Sequence, residues 1–202
     1  MKKNLIIVFA KNIVLGKVKT RLAKNVGDEA AFNVYKYLID ITHKETTKIN
    51  ECDVHIYFSD VVSNTLWNNN EKFVQKGTDL GERMFNAFKD SFDRGYTNII
   101  GVGADLPDLN AEIMLKGLER LKTNDTVFGP SEDGGYYLIG MNQLIPEVFE
   151  NKSWSTDLLL KETITELKKL SYSTHFLEEL NDVDTIEDLA ASSIAKKFKH
   201  LL

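Results

Sequence analysis

Positively charged side chains cluster in the stretch FAKNIVLGKVKTRLA, residues 9–23, although the whole chain carries a net charge of -5. Four cations flank Gly16 in this stretch: Lys11, Lys17, Lys19 and Arg21. Glycine allows a tight turn close to a ligand, and the N-terminus of a following helix offers free N–H groups to an anion. Lysine and arginine both bind phosphate oxygens. The pattern predicts a phosphate site, and a solvated basic turn is the alternative.

A carboxylate that could hold a metal ion lies in GVGADLPDL, residues 101–109. Asp105 directly follows an apolar run that is typical of a buried strand. A carboxylate at the end of a strand suits a hard cation such as Mg²⁺ or Mn²⁺, which shares its coordination with phosphate oxygens. Alternatively, Asp105 accepts hydrogen bonds from the N–H groups of its own loop. The residues alone leave both interpretations open.

The most distinctive segment is GPSEDGGYYLIG, residues 129–140. Gly134 and Gly135 give the backbone freedom beside Asp133, and Tyr136 begins a predicted strand. Asp-Gly-Gly between two strands is also an ordinary hairpin signal, and the pattern alone favours that interpretation. A plain turn does not require the Gly-Pro pair at the start of the segment, so a ligand contact remains open.

A basic residue stands at an unusual place in QKGTDLGERM, residues 75–84. Asp79 and Glu82 have the spacing of a capping box, which predicts the start of an amphipathic helix near Leu80. Arg83 then lies in the first turn, where the helix dipole does not favour a cation. This position indicates an anionic partner.

Two aspartates precede the last predicted helix in NDVDTIEDL, residues 181–189. Asp184 and Glu187 have the spacing of a capped helix start, so an N-cap is the simplest interpretation of Asp184. A single cap contributes only about 1 kcal/mol, and a binding role for the same carboxylate stays open.

Predicted strands and helices alternate along the chain and would position these residues. The sequence predicts strands at 4–10, 54–58, 98–102, 126–128, 136–139 and 172–177. It predicts helices at 31–41, from about 80, at 113–121, at 156–169 and from 185. Such alternation predicts an α/β fold with a mostly parallel sheet and helices on both faces. Ligands of these sheets bind beyond the carboxyl ends of the strands. The candidate residues lie mainly in loops that follow strands: 11–21, 59–60, 103–109 and 129–135.

The composition limits the classes of protein to which the chain can belong. The 202 residues, 43% hydrophobic and 27% charged, suffice for one α/β domain. The negative net charge argues against non-specific nucleic-acid binding, and no stretch approaches the length of a membrane span. The single Cys52 excludes an intramolecular disulfide, and the four histidines lack the spacing of a zinc site. We therefore expect a cytoplasmic protein.

Together these segments resemble the DUF2064 family, bacterial glycosyltransferases of the nucleotide-diphospho-sugar transferase (GT-A) type. They are related to the molybdopterin- and phospholactate-guanylyltransferases. Five motifs match in the same order between residues 9 and 189, but Ile13 and Leu15 stand where the family usually has prolines. The resemblance implies one GT-A-like three-layer α/β sandwich. About 1–109 would form the nucleotide-binding part, and about 110–202 the part that binds the acceptor and the sugar.

The resemblance also implies roles for individual residues. Asp105 and Asp133 would be catalytic, and Asp105 and Asp184 would bind Mg²⁺ or Mn²⁺. The nucleotide and its phosphates would contact Lys11, Gly16, Lys19, Arg21, Gln75, Gly77 and Arg83. The acceptor or sugar would contact Gly134, Gly135, Tyr136 and Trp154.

Three functions remain open at this point. The first is transfer of a sugar from a nucleotide-diphospho-sugar to a small-molecule acceptor, with the cations neutralising the diphosphate. The second is nucleotidyl transfer from an NTP to a phosphorylated acceptor, which would use the same cations and metal. The third is a non-catalytic nucleotide-binding module.

Overall fold

A mixed sheet organises the chain in the computed structural model, which describes residues 3–202. Its strands are β1 (Asn4–Ala10), β2 (Asp53–Phe58), β3 (Glu71–Val74), β4 (Asn98–Gly103), β5 (Thr126–Pro130), β6 (Tyr136–Met141) and β7 (Thr174–Phe176). They lie in the order β3-β2-β1-β4-β6-β5-β7, and β6 runs antiparallel to both of its neighbours. The carboxyl ends of the other six strands therefore meet at one edge, to which the β5–β6 loop also belongs.

Helices cover the sheet, and three of the six α-helices begin with a side-chain cap. They are α1 (Thr20–Val26), α2 (Asp28–Thr47), α3 (Leu80–Asp93), α4 (Ala111–Arg120), α5 (Leu159–Lys169) and α6 (Ile186–Ala191). Short 3₁₀ helices span Pro146–Val148 and Lys199–Leu201. The Asp79 side chain accepts a hydrogen bond from the backbone of Glu82 at 2.9 Å, as the sequence predicts for the start of α3.

Alternate residues of β1 pack into different layers. Ile6 and Val8 face the cluster that includes side chains of α2 and α4, whereas Leu5 and Ile7 face the cluster that includes α3 and α5. All four are fully buried, which is the pattern of a central parallel strand. A third cluster joins α1, α2 and α6. The predicted single α/β domain, a three-layer sandwich with a mostly parallel sheet, is confirmed.

The sequence does not predict β3. This strand has four residues and lies at an edge of the sheet, where Glu71 and Lys72 carry charge. Its alternation is too short to be distinguished from a loop. The list of predicted helices also lacks the short α1, and the bounds of α2 and α5 differ from the predicted 31–41 and 156–169. Within residues 3–202, no helix combines the length and the apolar character needed to cross a bilayer.

His55, in β2 beside the edge strand β3, makes stability depend on pH. Its ring is buried, its Nδ1 atom has no hydrogen-bond partner among the described residues, and Nε2 lies 3.2 Å from the Tyr96 hydroxyl. Burial lowers the pKa of His55, although the Glu71 carboxylate opposes the shift. The folded protein therefore resists protonation, whereas the unfolded chain accepts a proton below about pH 6.5.

We expect the free energy of unfolding to fall as the pH is lowered from about 7.5 to about 5.5, as urea titrations would measure. The His55→Gln variant should lose less over the same interval, because the other titrating groups are common to both proteins. Equal losses in the two proteins would contradict the assignment to His55.

Candidate active site

A buried ammonium group joins the first loop to two acidic loops. The Lys19 Nζ atom lies 2.8 Å from Asp105 Oδ2, 2.7 Å from Asp184 Oδ1 and 3.8 Å from Asp182 Oδ2. Only 4% of the Lys19 side chain is exposed. Arg21 reaches the same place from outside, since its Nη1 atom lies 3.7 Å from Asp184 Oδ2. The cationic turn and the aspartate loop that the sequence singles out therefore converge in space.

Neighbouring apolar residues fix the position of Lys19. Val18 packs into the cluster of α2 and α4, and Leu22 packs into the cluster of α1, α2 and α6. Lys19 is the N-cap residue of α1 and adopts a left-handed conformation with φ of 48°. Few residues other than glycine adopt this conformation without strain. The two anchors and this backbone turn place the charged side chain in the interior.

The two acidic loops are anchored in the same way. Asp105 lies between the buried Ala104 and Leu106, just beyond β4. The fully buried Val183 separates Asp182 from Asp184. The capping interpretation of Asp184 is wrong, because Thr185 is the N-cap of α6 and forms a capping box with Asp188. The side chain of Asp184 instead accepts a hydrogen bond from the Lys19 ammonium group.

Burial and neighbouring charges shift the pKa values of the cluster in both directions. Burial favours the neutral acid, but the Lys19 ammonium holds the pKa of Asp105 below its ordinary value. Burial alone would lower the pKa of Lys19, and the carboxylates raise it instead. Burial and the nearby Asp105 charge raise the pKa of Asp182 to about 6. The pKa values of Asp105 and Asp182 therefore shift in opposite directions.

A cavity of about 310 Å³ opens beside this cluster at the carboxyl edge of the sheet. Its charged side chains come from the loops after the strands and include Lys11, Asp105, Asp133 and Asp182. Much of the remaining wall is apolar and includes Phe9, Met84, Tyr136, Ile139, Trp154 and Leu159. Ligand sites commonly combine a largely apolar wall with a few polar groups that fix orientation.

The β5–β6 loop brings Asp133 to the cavity wall. The Asp133 carboxylate accepts hydrogen bonds from the Ser131 hydroxyl at 2.5 Å and from the backbone N–H of Gly135 at 2.9 Å. These bonds fix its orientation. Gly134 has φ of 82°, and its carbonyl accepts a hydrogen bond from the backbone of Leu160 in α5. The hairpin that the pattern favours is therefore present, and it also carries a carboxylate of the cavity.

Hydrogen bonds to its own backbone and to β2 hold the segment before α3 in place. Arg83 Nε donates to the carbonyl of Gly77 at 3.1 Å, and Gln75 Nε2 donates to the carbonyl of Tyr57 at 2.9 Å.

Trp154 packs closely against α3. At Gly81, a Cβ atom would lie 2.5 Å from the Trp154 indole nitrogen, so glycine is needed for this packing. Tyr136 is the neighbour of Trp154, with ring centroids 6.5 Å apart. Its buried hydroxyl has no hydrogen-bond partner within residues 3–202.

The structure gathers most, but not all, of the residues that the sequence singles out. The cavity wall contains Lys11, Gln75, Asp105, Asp133, Gly135, Tyr136 and Trp154, and the ion-pair cluster adds Lys19, Arg21 and Asp184. Gly16, Gly77, Arg83 and Gly134 are not among the residues that line the cavity. Lys19 was expected to face phosphate and instead contacts carboxylates. Its role toward phosphate stays a prediction.

Sequence reasoning missed Asp182 as a member of the site. Asp182 lines the cavity. One carboxylate oxygen from each of Asp105, Asp182 and Asp184 lies within 4.8 Å of the other two. The available signal was the position of Asp182 two residues before Asp184. That spacing would place both side chains on one side of an extended segment.

Comparisons place this fold among known proteins. A model of the DUF2064 family, described as "uncharacterized protein conserved in bacteria", matches residues 42–156, more than half of the chain. None of the curated proteins matches the chain. A provisionally named nucleotide-diphospho-sugar transferase from Desulfovibrio desulfuricans G20 is similar, with 29% identity and a TM-score of 0.89. That comparison covers 100% of this chain and 97% of the other.

Two further solved structures share the fold alone. The first is a CMP:2-keto-3-deoxy-manno-octonic acid synthetase complexed with CTP, at 10% identity and a TM-score of 0.59, over 100% of both chains. The second is Rv0371c of Mycobacterium tuberculosis H37Rv complexed with manganese. It is 10% identical with a TM-score of 0.57, over 94% of this chain and 97% of the other.

Proposed function

The chain belongs to the DUF2064 family, and on that premise we propose a metal-dependent transferase that moves a sugar from a nucleotide-diphospho-sugar to a small-molecule acceptor. The observation that supports this proposal is the convergence of Lys19, Arg21 and the aspartates beside a cavity at the carboxyl edge of the sheet. A diphosphate needs positive side chains, and a divalent ion needs oxygen ligands. Both kinds of group meet here.

We assign Asp105, Asp182 and Asp184 as the ligands of a Mg²⁺ or Mn²⁺ ion. One oxygen from each of these carboxylates lies within 4.8 Å of the other two, and oxygen ligands are the kind that these hard cations prefer. When bound, the ion would neutralise the negative charge that develops on the leaving diphosphate. The manganese complex of Rv0371c is consistent with this choice of ion in a protein of the same fold.

The other residues of the site receive roles from their positions. Lys11 lines the cavity and Arg21 has 69% of its side chain exposed, so both can face the diphosphate. Asp133 is oriented by two hydrogen bonds and would accept the proton of the acceptor hydroxyl. Tyr136 and Trp154 would form the wall against which the acceptor packs. On this assignment, about 1–109 binds the nucleotide, and about 110–202 binds the acceptor and the sugar.

Nucleotidyl transfer is the second candidate. It is favoured by the likeness of the fold to a synthetase that binds CTP. In this reaction an acceptor phosphate would attack the α-phosphate of an NTP, and pyrophosphate would leave. The same cations and carboxylates would serve both reactions.

The leaving group distinguishes the candidates. The protein is incubated with Mg²⁺ or Mn²⁺ and either UDP- and GDP-sugars with hydroxylated acceptors, or NTPs with sugar 1-phosphates. We expect free NDP from a nucleotide-sugar, whereas release of pyrophosphate would support nucleotidyl transfer. Nucleotide binding with neither product, and the same affinity in Asp105→Asn, would indicate a non-catalytic binding module.

A further inference from the structure

Lys19 holds the oxygen atoms that the proposed metal needs. Its ammonium group donates hydrogen bonds to Asp105 Oδ2 and Asp184 Oδ1 and lies 3.8 Å from Asp182 Oδ2. These are the three carboxylates assigned to Mg²⁺ or Mn²⁺. A divalent ion at the same oxygens would repel the ammonium and would remove its hydrogen-bond acceptors. The two cations therefore compete for one set of ligands.

The position of Lys19 is built into the fold. The buried Val18 and Leu22 anchor it on both sides, and the left-handed backbone at Lys19 aims its side chain inward. Charged side chains are seldom this deeply buried unless they are paired. Without a divalent ion, Lys19 is the buried cation that pairs with these carboxylates, and the exposed Arg21 adds a contact to Asp184. When a divalent ion is bound, Lys19 is no longer needed to neutralise the carboxylates.

We propose that Lys19 is an exchangeable resident cation: it binds the three carboxylates when no metal is present, and metal binding releases it toward the phosphates of the nucleotide. This inference rests on the metal site of the proposed function. The released ammonium would lie on the cavity side, because Asp105 and Asp182 both line the cavity, and it would join Lys11 there. The exchange accounts for a lysine that the sequence assigns to phosphate and that contacts carboxylates in the structure.

Binding of Mn²⁺ without nucleotide tests the competition. Titrations followed by the electron paramagnetic resonance signal of free Mn²⁺ would compare the wild type with Lys19→Met and Lys24→Met. Lys24 is exposed on α1 and makes no ion pair among the described residues, so its variant is the matched loss of one positive charge. We expect about tenfold tighter binding in Lys19→Met, as for a site that is open one-tenth of the time in the wild type. Equal or weaker binding than in Lys24→Met would overturn the proposal.

A second measurement does not require the Lys19→Met variant to fold. Nitrogen-detected NMR of lysine ammonium groups should show a slowly exchanging Lys19 signal that moves or broadens when Mg²⁺ saturates the protein. A Lys19 signal that Mg²⁺ leaves unchanged would overturn the exchange. If Mn²⁺ binds to none of the proteins, the exchange is also overturned. The transferase function would then be judged separately, by turnover in the presence of EDTA.

Discussion

Asp105→Asn should lower kcat/KM for the nucleotide donor by about 100-fold or more, since loss of a metal ligand removes several kcal/mol of charge stabilisation and each tenfold is about 1.4 kcal/mol. The substitution keeps the shape of the side chain and removes its charge. The proposed ion loses a ligand, and Lys19 loses one of its two short ion pairs. Steady-state assays with the donor identified by product analysis would measure the change.

Asp108→Asn is the matched control. Asp108 lies on the same loop and is exposed, and it forms no ion pair among the described residues. The control variant should keep the activity of the wild type. Comparable losses in both variants would mean that the charge of the loop matters rather than a ligand at position 105. Full activity in Asp105→Asn would remove Asp105 from the site.

Gly134→Ala should lower the free energy of unfolding by more than about 3 kcal/mol, combining left-handed strain of 1–2 kcal/mol with a steric overlap. Gly134 has φ of 82°, and a Cβ atom there would overlap with the backbone carbonyl of Asp157. The residue cannot move away freely, because its own carbonyl accepts a hydrogen bond from Leu160. Urea denaturation would measure the loss.

The Gly95→Ala variant separates the cost of the left-handed backbone from the cost of steric overlap. Gly95 has a similar φ of 89°, but a Cβ atom there would have nothing within 4 Å. We expect this variant to lose about 1 kcal/mol, the cost of the backbone conformation alone. If the two variants were equally destabilised, the close packing of the β5–β6 loop against the segment before α5 would not contribute to the free energy of unfolding.

The fold could be predicted because its signals are local. The apolar run of residues 4–10 is long and uninterrupted, as a strand buried on both faces requires. The helix near Leu80 has a cap and a clear apolar period. The strand β3 lacks such signals, because four residues at an edge are held in place by β2 rather than by their own pattern.

Most of the residues that converge at the cavity and the ion-pair cluster can be singled out from the sequence, but their pairing cannot. Parallel strands bring their carboxyl ends to one edge, so Lys11, Asp105 and Asp133 could be expected near one another. Nothing local indicates that Lys19 is buried, since that depends on Val18 and Leu22 entering two different clusters. Asp182 is not singled out because its approach to Asp105 depends on the burial of Val183 in the cluster of α1, α2 and α6, which the segment itself does not indicate.

The outer strands of the sheet have a consequence for association between copies of the chain. Both of them are short, with four residues in β3 and three in β7. Free backbone N–H and C=O groups on a long, flat edge invite pairing with another molecule and, eventually, aggregation. Here each rim offers little backbone for such pairing, and Glu71 and Lys72 add charge to one of them. We therefore expect neither outer strand to act as a template for strand-to-strand growth.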